Sequence, residues 1–485
     1  THTDSSAASD VYKRQLGDVY KRQIKYRKYF LVHNLLAKFK NEFKNLLKIG
    51  LPIFGSQVSY VFMGTTDTLV AGRASSTDLA ALAIGSAFTH PIWLLVAGIT
   101  FAITPIVAQL YGAKEYNKIG YKLGEVIWIA IGLGSLFLII YPNLYMLVNL
   151  LQLDSEVARI AGEYLKALSV GMFAITIFTC LRCYSEGMTL TLPVFYISLA
   201  GMLINIPLDI IFVYGYFGVP KMGGVGCGYA TSIVSVFMTI ALILYIAKSK
   251  HYTKTKPFQK LPFPSSGTLT EIFKLGFPIG LGIFIELAMF SGAALIISPL
   301  GKEVVAGHAI AMNIASFFFV ISLSVGLAAA TRVGNLIGAK RMLDARFASI
   351  SSIALCTMIA IINTIIILAF KDQLSALFST EDAVVLIATN LLIFAAIFQI
   401  PDGAQIGAIG ALRGYKDTFA PMIITLLVYW FVAIPVGYYL TYYGFKTPLG
   451  ASGMWIAMIG GLSIFAVLII LRVQWISKKF SKAMN

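Results

Sequence analysis

The sequence predicts an all-α membrane protein: twelve transmembrane helices in two pseudo-twofold-related six-helix bundles around a central cavity. Three observations predict it: a composition too apolar for an aqueous surface, twelve apolar stretches of bilayer-crossing length, and an internal duplication. The 485 residues are 58% hydrophobic and only 12% charged, with a mean hydropathy of +0.80. A soluble domain carries about 25% charged residues, so this composition excludes an ordinary cytosolic enzyme, a disordered chain and a disulfide scaffold. Aromatic residues reach 13% without period-2 alternation, which favours helices over an outer-membrane barrel.

A helix needs roughly 20 apolar residues to cross the hydrocarbon. The first set of spans reads as 49–72, 78–111, 122–144, 157–182, 190–216 and 226–247. The second reads as 271–299, 304–337, 345–370, 382–412, 418–441 and 449–473. The domains are then a polar basic leader (1–45), an N-terminal bundle (46–247), a charged linker (248–270), a C-terminal bundle (271–474) and a tail (475–485). Within the leader, Asp10–Gln15 and Asp18–Gln23 spell the same six letters, which reads as a gene-model artefact outside the fold argument. Lys25 to Lys48 is basic with interleaved aromatics, as expected of an amphipathic segment on an anionic leaflet. No apolar h-region precedes Leu46, so no cleaved signal peptide is expected.

Basic residues set the expected orientation. Loops after odd-numbered spans carry at most one each (Arg73, Lys221, Lys302, Lys371, Lys446). Loops after even-numbered spans hold Lys114, Lys118 and Lys122, the Lys248–Lys274 cluster, and Lys340, Arg341 and Arg346, with Lys478, Lys479 and Lys482 at the end. The positive-inside bias places both termini and the linker in the cytoplasm. The net charge of +16 is therefore topological, and no nucleic-acid partner is implied.

The two halves are copies of one unit. Lys48-Ile-Gly-Leu-Pro52 falls on Lys274-Leu-Gly-Phe-Pro278, and the register holds without a gap to Lys114 and Lys340, a shift of 226. Further on, Leu181-Arg-Cys-Tyr184 matches Leu412-Arg-Gly-Tyr415 at a shift of 231. Six spans is an even number, so the copies are parallel, related by an axis along the membrane normal. Arg182 and Glu186 are i, i+4 and read as a solvated structural ion pair at a helix end, repeated by Arg413 and Asp417.

Acids within spans are not duplicated. Asp67 pairs with Ala293, Glu286 with Tyr60, Asp402 with Gly171, and Asp209 with Gly437. A carboxylate in the bilayer centre costs at least about 2.5–3.5 kcal/mol, which makes each a candidate functional group. Glu286 is placed about ten residues into its span, roughly 15 Å from the inner end; Glu125, near a helix end, is a weaker candidate. Pro401, directly before Asp402, frees the carbonyl of Ile397, and Pro207, between Asn205 and Asp209, frees that of Leu203. Carboxylates and freed carbonyls are oxygen ligands suited to Na⁺ or a proton. Cys180-x-x-Cys183 has no second pair, Cys227 and Cys356 lie in apolar surroundings, and the five histidines form no H-E-x-x-H. The string Gly223–Gly228 reads as a turn opening a span.

Asp67-Thr-Leu-Val-Ala-Gly72, Asn205-Ile-Pro-Leu-Asp209, Gly224-Val-Gly-Cys-Gly228, Phe284-Ile-Glu286 and Ala411-Leu-Arg-Gly-Tyr-Lys-Asp417 together resemble the multidrug and toxic compound extrusion (MATE) family, NorM branch, over residues 45–475. The resemblance implies export of organic cations and drugs in exchange for Na⁺ or H⁺. It carries a first-bundle site onto Asp67, Asn205 and Asp209, and a second-bundle cation site onto Glu286 and Asp402, where Na⁺ would bind. Phe398 stands where NorM-type members tend to have Tyr, and Asp209 where they tend to have Asn, so the coupling ion stays open. Tyr60, Phe62, Phe284 and Phe290 are candidates for stacking on planar cations. The implied setting is a monomer in a bacterial inner membrane, with drugs and lipid as partners and no cofactor. Burial and nearby cations tune a carboxyl's proton affinity, so substrate and ion can compete for shared acids. A lipid-linked precursor flippase is the alternative; it would want a cavity rich in Arg and Lys. No nucleophile–base cluster or metal triad supports an enzyme.

Overall fold

The computed structural model describes the backbone of residues 3–146, 154–444 and 446–482, with side chains from Leu36 onward in those ranges. The side chains of the repeated hexapeptides lie outside the described residues. The first half contains α1 (Thr3–Ala74), α2 (Ser76–Phe101), α3 (Ile103–Gly112), α4 (Tyr116–Asn143), α5 (Ser155–Gly187), α6 (Leu192–Tyr214) and α7 (Gly224–Lys248). The second contains α8 (Ser266–Ile297), α9 (Lys302–Gly338), α10 (Met342–Ala376), α11 (Asp382–Gly414), α12 (Phe419–Val428), a π-helical turn (Tyr429–Ala433), α13 (Ile434–Tyr442) and α14 (Ala451–Lys482). Among the described residues, twelve helical segments are long and apolar enough to span a membrane, and each covers one expected span. Three of them are compound: α2 and α3 are broken at Ala102, α8 runs on into a 3₁₀ turn (Ser298–Leu300), and α12 and α13 are joined through the π turn.

Local chemistry fixes the ends. Ser75 caps α2 by accepting from the Asp78 amide at 2.9 Å, and Asp78 Oδ1 accepts from the Gly224 amide at 2.6 Å. One carboxylate thus secures two helix N-termini, where free N–H groups favour negative charge. Gly223–Gly228 does open α7.

Each half buries its own core. Phe137, Tyr141, Leu165 and Phe178 anchor the first, and Leu392, Trp455, Leu462 and Phe465 the second. The linker is no loose tether. Tyr252 is buried and donates to Ser185 Oγ at 3.0 Å, and Phe263 stacks on Trp128 with centroids 4.7 Å apart. Glu125 is consumed in holding this strap: it accepts from the Ser265 amide at 2.9 Å and Thr268 Oγ1 at 2.6 Å, beside Lys122.

The bundles meet at the linker-side ends of their helices, and glycine governs the contact. Lipid tails are as apolar as side chains, so membrane helices associate through close packing, which small residues permit. A Cβ on Gly98 (α2) would collide with the backbone of Gly280 (α8), and one on Gly276 with the backbone of Ile99. A second crossing is reciprocal: a Cβ on Gly112 would strike the Asn335 carbonyl, and one on Gly338 the Gln109 carbonyl. Gly112 and Gly338, like Gln109 and Asn335, are partners under the 226 shift, so the pseudo-twofold axis runs through this contact. Gln109 Nε2 also donates to the Gly414 carbonyl at 2.9 Å, and Arg332 forks onto Glu42 at 2.6 and 2.9 Å.

This packing predicts that Gly338→Val opens the crossing. Overpacking of about 1–3 kcal/mol shifts a two-state contact roughly 5- to 150-fold. Ala108 is buried in the crossing against Gly334. A cysteine at Ala108 is expected to resist maleimide in the parent and to react faster by that factor in Gly338→Val; equal protection in both would contradict the assignment.

Candidate functional site

Away from the crossing, the bundles diverge around a cavity of about 700 Å³ lined by both halves. Tyr60, Asp67, Trp93 and Arg182 face it from the first bundle; Glu286, Phe290, Asp402 and Arg413 face it from the second.

The second-bundle acids form one hydrogen-bonded unit. Gln405, one turn beyond Asp402 on α11, donates from Nε2 to Asp402 Oδ1 at 2.9 Å and to Glu286 Oε1 at 3.1 Å. The Tyr429 hydroxyl lies 3.1 Å from Gln405 Oε1 and 3.4 Å from Glu286 Oε1, and its single proton serves one acceptor at a time. Tyr429 belongs to the π turn, a distortion that re-aims side chains and recurs at functional sites. Glu286 lies twenty residues beyond the start of α8 at Ser266, not about ten. That is about 30 Å along the axis, in the half remote from the linker; the expected span opening at 271 already put Glu286 fifteen residues in, and the helix starts five residues earlier because Ser265 caps it.

The first-bundle group is organised differently. Thr231 Oγ1 donates to Asp67 Oδ2 at 3.0 Å, and a carboxylate oxygen of Asp67, one of Asp209 and the Cys227 sulfur lie within 4.8 Å of one another. Asn205 and Asp209 are fully buried behind Asp67. Asp67 Oδ1, both Asp209 oxygens and both polar atoms of Asn205 lack a hydrogen-bond partner among the described residues. Each such buried group costs about 1–3 kcal/mol. A proton or a small cation would satisfy several at once.

Several expectations need correction. Phe62 and Phe284 are half-exposed on outer helix faces and do not line the cavity, whereas Tyr60 and Phe290 do. Phe62 is two residues from Tyr60, and Phe284 two from Glu286, a spacing that points side chains to opposite faces. Arg182 and Glu186 form an ion pair at 3.6 Å, but it is buried rather than solvated, and Arg182 reaches the cavity beneath the Tyr60 ring. Arg413 and Asp417 do not pair. Helix α11 ends at Gly414 and Lys416 turns left-handed (φ 60°), which breaks the i, i+4 relation; Asp417 instead binds Arg472 at 2.7 Å. Gln405, Tyr429, Thr231 and Cys227 were missed as site residues. Only Cys227 and Thr231 left a trace, being i, i+4 on α7.

A duplicated pair of membrane-spanning bundles enclosing an acid-lined cavity is the architecture of a membrane transporter. Comparison with known proteins gives the family. The MatE family profile matches residues 52–211 and again 278–439, two starts 226 residues apart, and the chain belongs to this family. It is 36% identical over 445 residues to the multidrug resistance protein PmpM of Pseudomonas aeruginosa, covering 91% of this chain and 93% of PmpM. It is 35% identical to the multidrug resistance protein NorM of Vibrio cholerae, covering 92% and 98%. The solved structure of the eukaryotic MATE transporter AtDTX14 superposes with a TM-score of 0.79 at 23% identity, covering 92% of this chain and 100% of that one, which establishes the shared fold.

The shared Gln405 bridge predicts that Glu286 and Asp402 act as one unit. Glu286→Gln and Asp402→Asn are each expected to uncouple ethidium transport from the ion gradient in liposomes. The double variant should be little worse than either single, a non-additivity of about 0.5–3 kcal/mol. Losses that simply add at matched protein levels would separate the two acids.

Proposed function

We propose that this protein is a multidrug efflux antiporter that exports organic cations in exchange for Na⁺ or H⁺ by alternating access. The single observation that carries the reading is the placement of Asp67, Glu286 and Asp402 on one cavity lined by both bundles, which pack together at one end. A cationic drug and a coupling cation seek the same carboxylates, so entry of one favours release of the other. PmpM and NorM are named as multidrug resistance proteins, which supports drug substrates here. The buried first-bundle group of Asp67, Asn205 and Asp209 suits the small ion alone, and the space beside Glu286, Asp402, Tyr60 and Phe290 admits either the ion or the drug. In this reading the chain sits as a monomer in a bacterial inner membrane with termini and linker cytoplasmic, and it needs no cofactor. The cavity then faces outward, ready to exchange drug for ion.

The test is ethidium efflux from proteoliposomes under an imposed Na⁺ or pH gradient, each alone. One gradient is expected to drive efflux, and Asp67→Asn should abolish the driven component at normal expression. Efflux under neither gradient, together with flipping of a labelled lipid-linked precursor, would overturn the antiport reading in favour of a flippase.

A further inference from the structure

The cavity of a cation exporter has no evident need for a free guanidinium, yet Arg413 supplies one. It lines the cavity and makes no ion pair or side-chain hydrogen bond among the described residues. The duplicated position shows what was changed. Arg182 is neutralised by Glu186 at 3.6 Å, bonded to Gln57 Oε1 at 3.4 Å, and packed over the rings of Tyr60 and Phe101. In the second bundle the matching acid, Asp417, is turned away by the helix end and held by Arg472. The second copy therefore keeps the arginine and diverts its partner.

A guanidinium withdrawn from bulk water gains from an anion, and its planar fork matches a carboxylate in two parallel hydrogen bonds. Arg413 and Asp402 are eleven residues apart on α11, three turns and within about 20° of the same face, roughly 16 Å along the axis. One wall of the cavity thus presents a cation at its deep end and the Glu286–Asp402 acids above it.

Resting on the efflux reading above, we propose that Arg413 is a specificity-determining, carboxylate-binding residue. It selects amphoteric drugs that carry a carboxylate at one end and a cationic amine at the other. The carboxylate docks on Arg413 while the amine faces Glu286 and Asp402, so such a molecule satisfies both ends of the wall. A permanent cation satisfies only one.

Three probes separate the roles: a quinolone bearing a piperazine amine and a carboxylate, its methyl ester, and ethidium. Binding to purified protein is measured by intrinsic fluorescence, and efflux in proteoliposomes. Arg413→Gln is expected to weaken the amphoteric quinolone about 10- to 100-fold more than ethidium. The ester should behave like ethidium in both proteins, and Arg413→Lys should restore part of the preference by retaining the charge without the fork. Equal losses for all three probes would assign Arg413 a structural or field role and overturn the proposal, as would an amphoteric quinolone that binds Arg413→Gln as it binds the parent. The binding ratio decides the subsite independently of transport; parent protein that binds the probes yet exports none under either gradient would instead overturn the efflux reading.

Discussion

Two helices reach backbone contact only where neither carries a Cβ in the way, and this constraint organises the molecule. Gly98 against Gly280, with Gly112 and Gly338 against the carbonyls of the opposite half, lets two independently cored bundles close at one end. Closure there forces divergence elsewhere, and the cavity is that divergence. Apolar contacts of Leu46, Ile49 and Ile53 on α1 with Val325, Ala328 and Ala329 on α9, and the Arg332–Glu42 pair, hold the same end around the glycines. Larger residues at the glycine positions would wedge the bundles apart or dock them in one geometry.

Within the cavity the two acidic groups solve the same desolvation problem differently. In the second bundle, Gln405 and Tyr429 give Glu286 and Asp402 fixed hydrogen bonds, an arrangement already satisfied and open to the cavity. In the first, Asp67, Asn205 and Asp209 leave polar atoms unpartnered among the described residues, a state that a bound proton or cation relieves. The asymmetry follows from duplication and divergence. Gly112 and Gly338 and the left-handed turns at Lys114 and Lys340 are kept in both copies, Gly98 and Gly280 answer to Ser324 and Phe54, and each copy has acids the other lacks.

This history explains what was legible in the sequence. Spans are legible because the bilayer demands long apolar runs, and the duplication because its register holds from Lys48 to Lys114 against Lys274 to Lys340. Asp67, Glu286 and Asp402 stood out as acids without counterparts, and all three reach the cavity. Gln405 and Tyr429 did not stand out: a glutamine and a tyrosine in a span cost little to accommodate, and the π turn that aims Tyr429 has no local signature. The expected Arg413–Asp417 pair failed because an i, i+4 spacing means nothing past the end of a helix. Phe62 and Phe284 lie two residues from Tyr60 and Glu286, near in sequence but about 200° around the helix, so they face outward. The linker's charge concealed its aromatic anchors, Tyr252 and Phe263, which strap it to the first bundle.

Alternating access, as proposed, requires the glycine crossing to open and close. Ala113 and Ala339 are exposed, equivalent under the 226 shift, and flank the crossing, while the four native cysteines are buried. Spin labels on cysteines at these two positions allow the distance between them to be measured by double electron–electron resonance in liposomes. The account predicts a short distance at rest and a second, longer population when ethidium is added under the gradient that drives its export. A single distribution, unmoved by drug or ion at transport-competent protein levels, would contradict it.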